Sequence, residues 1–196
     1  YRQWFVRLQR SKQLDSYRVF GDQYLVTVDG SEYFNSESIS CSHCLTRHKS
    51  NDHVEHYHQV LQPALVHPDH SQVIPLAPEF IRRQDGANKQ DCEVGAGMRA
   101  LKRIRADHRQ LPAILVADAL YSTTRFIAEL VEKRFSYILG VKPASHKALF
   151  QDVQGLRRGK RTRHFSWVTD LGINEENVEE FVRAARSRWK IENENF

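Results

Sequence analysis

The sequence predicts a mixed α/β fold, a five-stranded sheet with helices on its faces, and three observations carry that prediction. Short apolar runs recur as QYLVTVDG (23–30), VEHYHQVLQPALV (54–66), QVIPLAPEFI (72–81), AILVAD (113–118) and SYILGVK (136–142), each bounded by turn-forming residues. The first three follow one another closely and suit an antiparallel meander. The later ones alternate with helical stretches, so they pair in parallel through right-handed crossovers. Third, two of the runs end in aspartate, at Asp29 and Asp118, and functional groups of open α/β sheets gather at the carboxyl ends of strands.

Taken in order, residues 1–20 are basic and helical in pattern and read as the end of an N-terminal helical region, with the core occupying 21–196. The polar segment 31–53 has turn chemistry and carries a CxxC, and HPDHS (67–71) supplies a turn. RRQDGANKQD leads into a helix at about 90–109, which Leu111-Pro112 stops. A second helix spans Ser122–Arg134, and Pro143 ends the strand after it. Residues 143–168 are polar and basic, a reduced insertion that includes the strand FSWV (165–168). A final helix closes the chain. This succession, β-β-β-α-β-α-β, an interruption, then α, is that of a ribonuclease H-like fold.

The last helix carries a carboxylate whose place in the stripe is unusual. Asn174 reads as its N-cap, with Glu175 and Glu176 in the first turn, where the macrodipole favours negative charge. Val178, Phe181, Val182, Ala185 and Trp189 form one apolar stripe, and Glu192 and Phe196 continue it. Glu194 falls on the opposite face. A carboxylate beside a core is costly unless paired or bound to metal, and Arg188, one turn back, offers an ordinary salt bridge. The alternative is a metal site: Asp29, Asp118 and Glu192 together would hold Mg²⁺ or Mn²⁺, hard ions that prefer oxygen ligands. Each strand-end aspartate also has a plain reading as a turn former, Asp29-Gly30 above all.

The bulk numbers bound the function classes. The chain has 196 residues and a net charge of +5, with 10 histidines besides, which suits a polyanionic partner. No apolar run approaches the roughly 20 residues of a membrane span, and no signal-peptide pattern opens the chain. The 3 cysteines are an odd number, which favours a cytoplasmic protein with a metal or free thiols over a disulfide framework. Both ends fall inside periodic stretches, so the expectation is a segment of a longer chain, truncated at its C-terminus.

The stretches VDGSEYF, YHQVLQPALVHPDH, VIPLAPEFI, QDGANKQDCE, ADALYS, ILGVKP and RWKIENENF, in that order from about residue 20, resemble DDE transposases of the IS4 type, the bacterial insertion-sequence enzymes. The resemblance implies DNA cleavage at transposon ends and strand transfer by a two-metal mechanism, double-stranded DNA as partner and a homodimer in the full-length protein. By position Asp29 and Asp118 match the catalytic aspartates. Glu192 matches the glutamate of the signature Y-x2-R-x3-E-x6-K, with Arg188 as its arginine. The signature tyrosine falls at Ala185, its lysine lies beyond Phe196, and the insertion before the glutamate is short.

Three basic clusters complete the picture: Lys102-Arg103-Arg105, then Arg157-Arg158-Lys160-Arg161-Arg163, and Arg183-Arg186-Arg188-Lys190. The second suits sequence-independent phosphate contacts, and the third flanks the helix of Glu192, where it would hold a scissile phosphate. Trp167 and Trp189 are candidates for stacking on a base, with Trp189 also on the core stripe. Cys41 and Cys44 have the spacing of zinc ligands. His48, His53, His56, His58 or Cys92 would complete a site, and His48 is the expected third ligand. An inert DNA-binding remnant and a zinc-stabilised interaction module remain the alternative readings.

Overall fold

A computed structural model describes residues 1–49, 53–82, 93–142 and 165–194, with 192–194 described by their backbone alone. The elements are α1 (Arg2–Arg10), β1 (Arg18–Val19), β2 (Gln23–Ser36), β3 (Leu45–His48), β4 (Val54–Val66), β5 (Ile74–Pro75) and β6 (Glu79–Ile81), followed by α2 (Glu93–Asp107). The second half holds β7 (Ala113–Ala117), α3 (Thr124–Glu132), β8 (Ser136–Gly140), β9 (Trp167–Thr169), α4 (Val178–Arg186) and α5 (Trp189–Glu194).

Among the described residues the sheet has 9 strands, with β3-β4-β2-β7-β8-β9 as its main order and β1, β5 and β6 paired beside it. Four of the five expected strands, β4, β2, β7 and β8, are its centre. β2 pairs antiparallel with β4 and parallel with β7, and β7 pairs parallel with β8. These directions are those of a ribonuclease H-like sheet. The other strands are short additions at the margins. The run 72–81 is broken by Pro78 into β5 and β6, and these share the outer edge of β4 with β3. β9 closes the far edge, antiparallel to β8.

Alternation along the central strands divides the core between two faces. Val26, Val28, Leu115 and Ala117 face one cluster, built with Ala96, Leu101 and Ile104 of α2 and Phe126 and Leu130 of α3. Phe5, Leu14 and Tyr17 join that same cluster, so residues 1–20 pack into the core; only Arg2–Arg10 of them is α-helical. Leu25, Ile114, Val116 and Ile138 face the other cluster, which α4 covers with Phe181, Ala184 and Ala185.

The expected stripe of the last helix is corrected by the structure. There are two helices rather than one, and the buried residues are Phe181, Ala184, Ala185, Ser187 and Ile191, while Val178 and Val182 are exposed. Ser187 causes the break. Its hydroxyl donates to the Arg183 carbonyl at 2.9 Å, a back-bond that bends helices. Around it, Ser187 N–H to Ala184 O and Lys190 N–H to Ser187 O are tight i+3 bonds. Each such step advances the phase faster than an α-helical one, so the stripe is reset before Glu192. Asn174 does act as a cap, but of a preceding turn: its Oδ1 accepts the N–H of Glu176 at 3.0 Å and of Asn177 at 3.1 Å.

The first basic cluster also has a structural role. The Arg105 guanidinium donates to the carbonyls of Lys133 (2.7 Å), Arg134 (2.9 Å), Leu111 (3.0 Å) and Arg109 (3.2 Å), and lies 4.5 Å from the Phe135 ring centroid. It ties the C-terminal ends of α2 and α3 together, where a cation is favoured by the unsatisfied carbonyls. Arg103 donates to Pro78 O at 3.3 Å, and Lys102 lies 3.8 Å from Glu129. We predict that Arg105→Met lowers unfolding free energy by about 2–3 kcal/mol in urea titrations. Arg105→Lys should not restore it, because one ammonium cannot span carbonyls that a planar fork reaches.

Candidate active site

The β2–β7 register places the two aspartates. Thr27 lies opposite Val116 in the parallel pair, and Asp29 and Asp118 each come two residues later, so they stand level with one another. β7 ends at Ala117, but β2 continues to Ser36 along β4, with Asp29 opposite Gln62. Asp29 is therefore not at a strand end, as the sequence suggested, and Asp29-Gly30 makes no turn. Antiparallel pairing to β4 sustains the strand past the point where its parallel neighbour stops. Alternation carries Asp29 onto the face covered by α4, two residues beyond Thr27. α5, which carries Glu192, packs against β2 and β4.

Asp118 sits in the turn after β7. Its Oδ1 accepts the Leu120 N–H at 2.9 Å and its carbonyl accepts the Tyr121 N–H at 3.2 Å. A cleft of 300 Å³ opens beside it, lined by Lys142, Arg186 and Arg188 together with Phe165, Trp167 and Trp189. The aromatic side chains are packed on one another: Phe165 stacks on Trp167 at 5.8 Å and meets Trp189 edge-on at 5.5 Å. Trp189 thus lines the cleft, half-buried, instead of completing the core stripe.

The third basic cluster divides by helix face. Arg186 and Arg188 line the cleft. Arg183 pairs with Asp69, and Lys190 donates to the His70 carbonyl, so both tie α4 and α5 to the turn after β4. Lys190 thus has a structural contact with the turn after β4. Arg157, Arg158, Lys160 and Arg161 lie outside the described residues.

A further carboxylate, which the sequence reading missed, packs against Gly30, the residue after Asp29. Glu93 opens α2, and its Oε1 accepts the Tyr121 hydroxyl at 2.8 Å. Its other oxygen lies over Gly30, where a Cβ would fall 2.5 Å from Glu93 Oε2 and 2.7 Å from Gln59 Nε2. Tyr121 is 1% exposed. Burial first, then the charges of Glu93, Asp118 and Asp29, push its hydroxyl far above the ordinary tyrosine range, so it remains a donor. The sequence signal was Gly30 itself: a glycine within a strand marks a close approach.

Cys41 and Cys44 come together with His58, and not with His48. Leu45 pairs with Tyr57, which brings Cys44 level with His58, while His48 pairs with Val54 toward the other end of β3.

A family model described as "Transposase DDE domain" matches residues 42–195. No curated protein matches the chain. Among solved structures, the cryo-EM structure of a piggyBac transposase synaptic complex with hairpin DNA is similar at a TM-score of 0.47 and 11% identity. The similarity covers 96% of this chain, which spans 44% of that one.

The close packing of Glu93 on Gly30 generates a prediction. Gly30→Ala should destabilise the fold by about 1–3 kcal/mol. In a Glu93→Ala background the same change should cost less by at least about 0.5 kcal/mol, as read by chemical denaturation of the four chains of the cycle. Equal penalties in both backgrounds would mean that Glu93 does not occupy the space over Gly30.

Proposed function

Because the chain belongs to the transposase DDE domain family, we propose that it is the catalytic core of an IS4-type transposase that cleaves DNA at insertion-sequence ends and transfers the cut strand. The observation that carries this reading is the parallel register that sets Asp29 level with Asp118, beside a cleft lined with cations and aromatic rings. Three arginine and lysine side chains there suit the phosphates of double-stranded DNA, which repay positive charge by counterion release. Trp167 and Trp189 offer faces for an unpaired base at a cut end. In the full-length protein we take the active unit to be a homodimer, acting on nucleoid DNA in the cytoplasm.

The donor set fits hard divalent cations. Asp29 and Asp118 offer only oxygen. We assign Asp29, Asp118 and Glu192 as the ligands of Mg²⁺ or Mn²⁺. Bound there, two such ions would supply activation of a water or 3′-hydroxyl and stabilisation of the leaving oxygen. The protein's own part is positional. The Leu120 N–H holds one oxygen of Asp118, the Tyr121 hydroxyl holds Glu93, and Arg186, Arg188 and Lys142 orient the scissile phosphate. Asp118 lies on the cleft wall with Arg188, so phosphate and metal ligands meet on one surface.

Calorimetric titration with Mn²⁺, paired with nicking of duplex DNA carrying the cognate ends, tests the assignment. Asp29→Asn, Asp118→Asn and Glu192→Gln should each weaken Mn²⁺ binding by roughly tenfold or more, about 1.4 kcal/mol, and abolish nicking. Mn²⁺ affinity that is indifferent to all three changes would refute the shared site.

A further inference from the structure

A second group of metal-ligating side chains lies on the hairpin that rises beyond Asp29, and nothing in the transposition chemistry uses it. Cys41 Sγ and Cys44 Sγ are 3.7 Å apart, and His58 Nε2 lies 3.4 Å from each. Zinc bonds of about 2.3 Å to sulfur and about 2.0 Å to nitrogen, at tetrahedral angles, place S···S at about 3.8 Å and S···N at about 3.5 Å. The three donor atoms therefore already mark one face of a zinc tetrahedron. From this geometry we propose that Cys41, Cys44 and His58 bind a structural zinc ion. The proposal stands independently of the carboxylate site.

Other observations show that the site is built and not a chance meeting of thiols. The His58 imidazole is held by rings of β2: it stacks on Tyr33 at 5.7 Å and meets Phe34 at 5.6 Å. That fixes the ring with Nε2 toward both sulfurs. Cys44 is 2% exposed, and its Sγ accepts the Cys41 N–H at 3.2 Å, the kind of bond that stabilises a thiolate ligand. Cys41 and His58 line a cavity of 360 Å³, in which His43 is a further imidazole. Binding would convert two thiols to thiolates with release of their protons, His58 entering as the neutral imidazole.

The location explains what such an ion would do. Among the described residues β2 has no parallel neighbour beyond Thr27, and the β2–β3–β4 extension reaches the main core through Leu45 and Tyr57. Ion pairs brace it, Arg47 with Glu32 at 2.9 Å and Lys49 with the buried Glu55 at 2.9 Å. Zinc would lock the loop 41–44 onto β4, and through the stacked His58 onto β2. The strand that carries Asp29 would thereby be held above the acidic centre.

Metal analysis of the reduced, purified chain, Co²⁺ substitution and thermal melting test the proposal together. The expected results are stoichiometric zinc, a Co²⁺ spectrum with thiolate charge transfer and the intense bands of tetrahedral coordination, and a melting temperature that falls with chelator. Cys41→Ser and His58→Ala should lose the metal, whereas His48→Ala and Asp29→Asn should retain it. Cys41 is exposed, so its replacement keeps the test open even if Cys44→Ser fails to fold. A reduced chain that takes up neither metal would overturn the proposal. So would zinc retained by His58→Ala, or a native chain lighter by the two thiol hydrogens, which would make the pair a disulfide.

Discussion

The parallel pairing of β2 with β7 is the constraint on which the rest of the molecule depends. Leu25, Val26, Thr27 and Val28 are all at most 2% exposed, as are Ile114, Leu115 and Val116. Strands buried on both faces read as continuous apolar runs, and both of these do. A slip of one residue would exchange the side chains that meet α2 and α3 for those that meet α4. Because that exchange is prohibitive, the level of Asp29 against Asp118 is fixed by packing several residues away from either carboxylate. The acidic centre inherits its precision from the core beneath it.

Charge is distributed according to the same geometry. At the end of the sheet where α2 and α3 terminate, Arg105 meets a group of backbone carbonyls. At the opposite end Glu93 accepts the Tyr121 hydroxyl, and Asp118 lies in the turn that leads to Tyr121. Of the positive residues that line the cleft, Arg186 ends α4 and Arg188 lies in the turn after it, while their neighbours Arg183 and Lys190 are spent on the turn after β4. A run of basic residues in sequence is therefore not a basic surface in space. The helical repeat sorts it into structural ties and cleft cations.

Much of the architecture was legible in the sequence because it rests on local signals. Period, strand length and proline placement located β2, β4, β7, β8 and the helices between them. The aspartates were visible because each follows a buried apolar run. What was not legible depended on pairing. That β2 continues through Gly30 follows from its antiparallel partner, and that Gly30 is a contact and not a turn follows from Glu93, which lies far along the chain. His58 could not be chosen over His48 without the register of β3 on β4. The sorting of Lys190 away from the cleft likewise required the position of His70.

The break between α4 and α5 shows how one segment serves both core and site. A straight helix with the phase of Val178, Val182 and Trp189 would have aimed all its apolar residues at one face. The structure instead buries Phe181, Ala184 and Ala185 beneath α4, tightens at Ser187, and buries Ile191 after the turn. The tightened turn places Arg188 and Trp189 in the wall of the cleft and sends α5 across β2 and β4. Ser187, a small buried residue whose hydroxyl bonds back to Arg183, is thus the point at which a packing helix becomes a wall of the site. The sequence RSRWKIENE is short between these roles because a single turn of altered pitch suffices to redirect it.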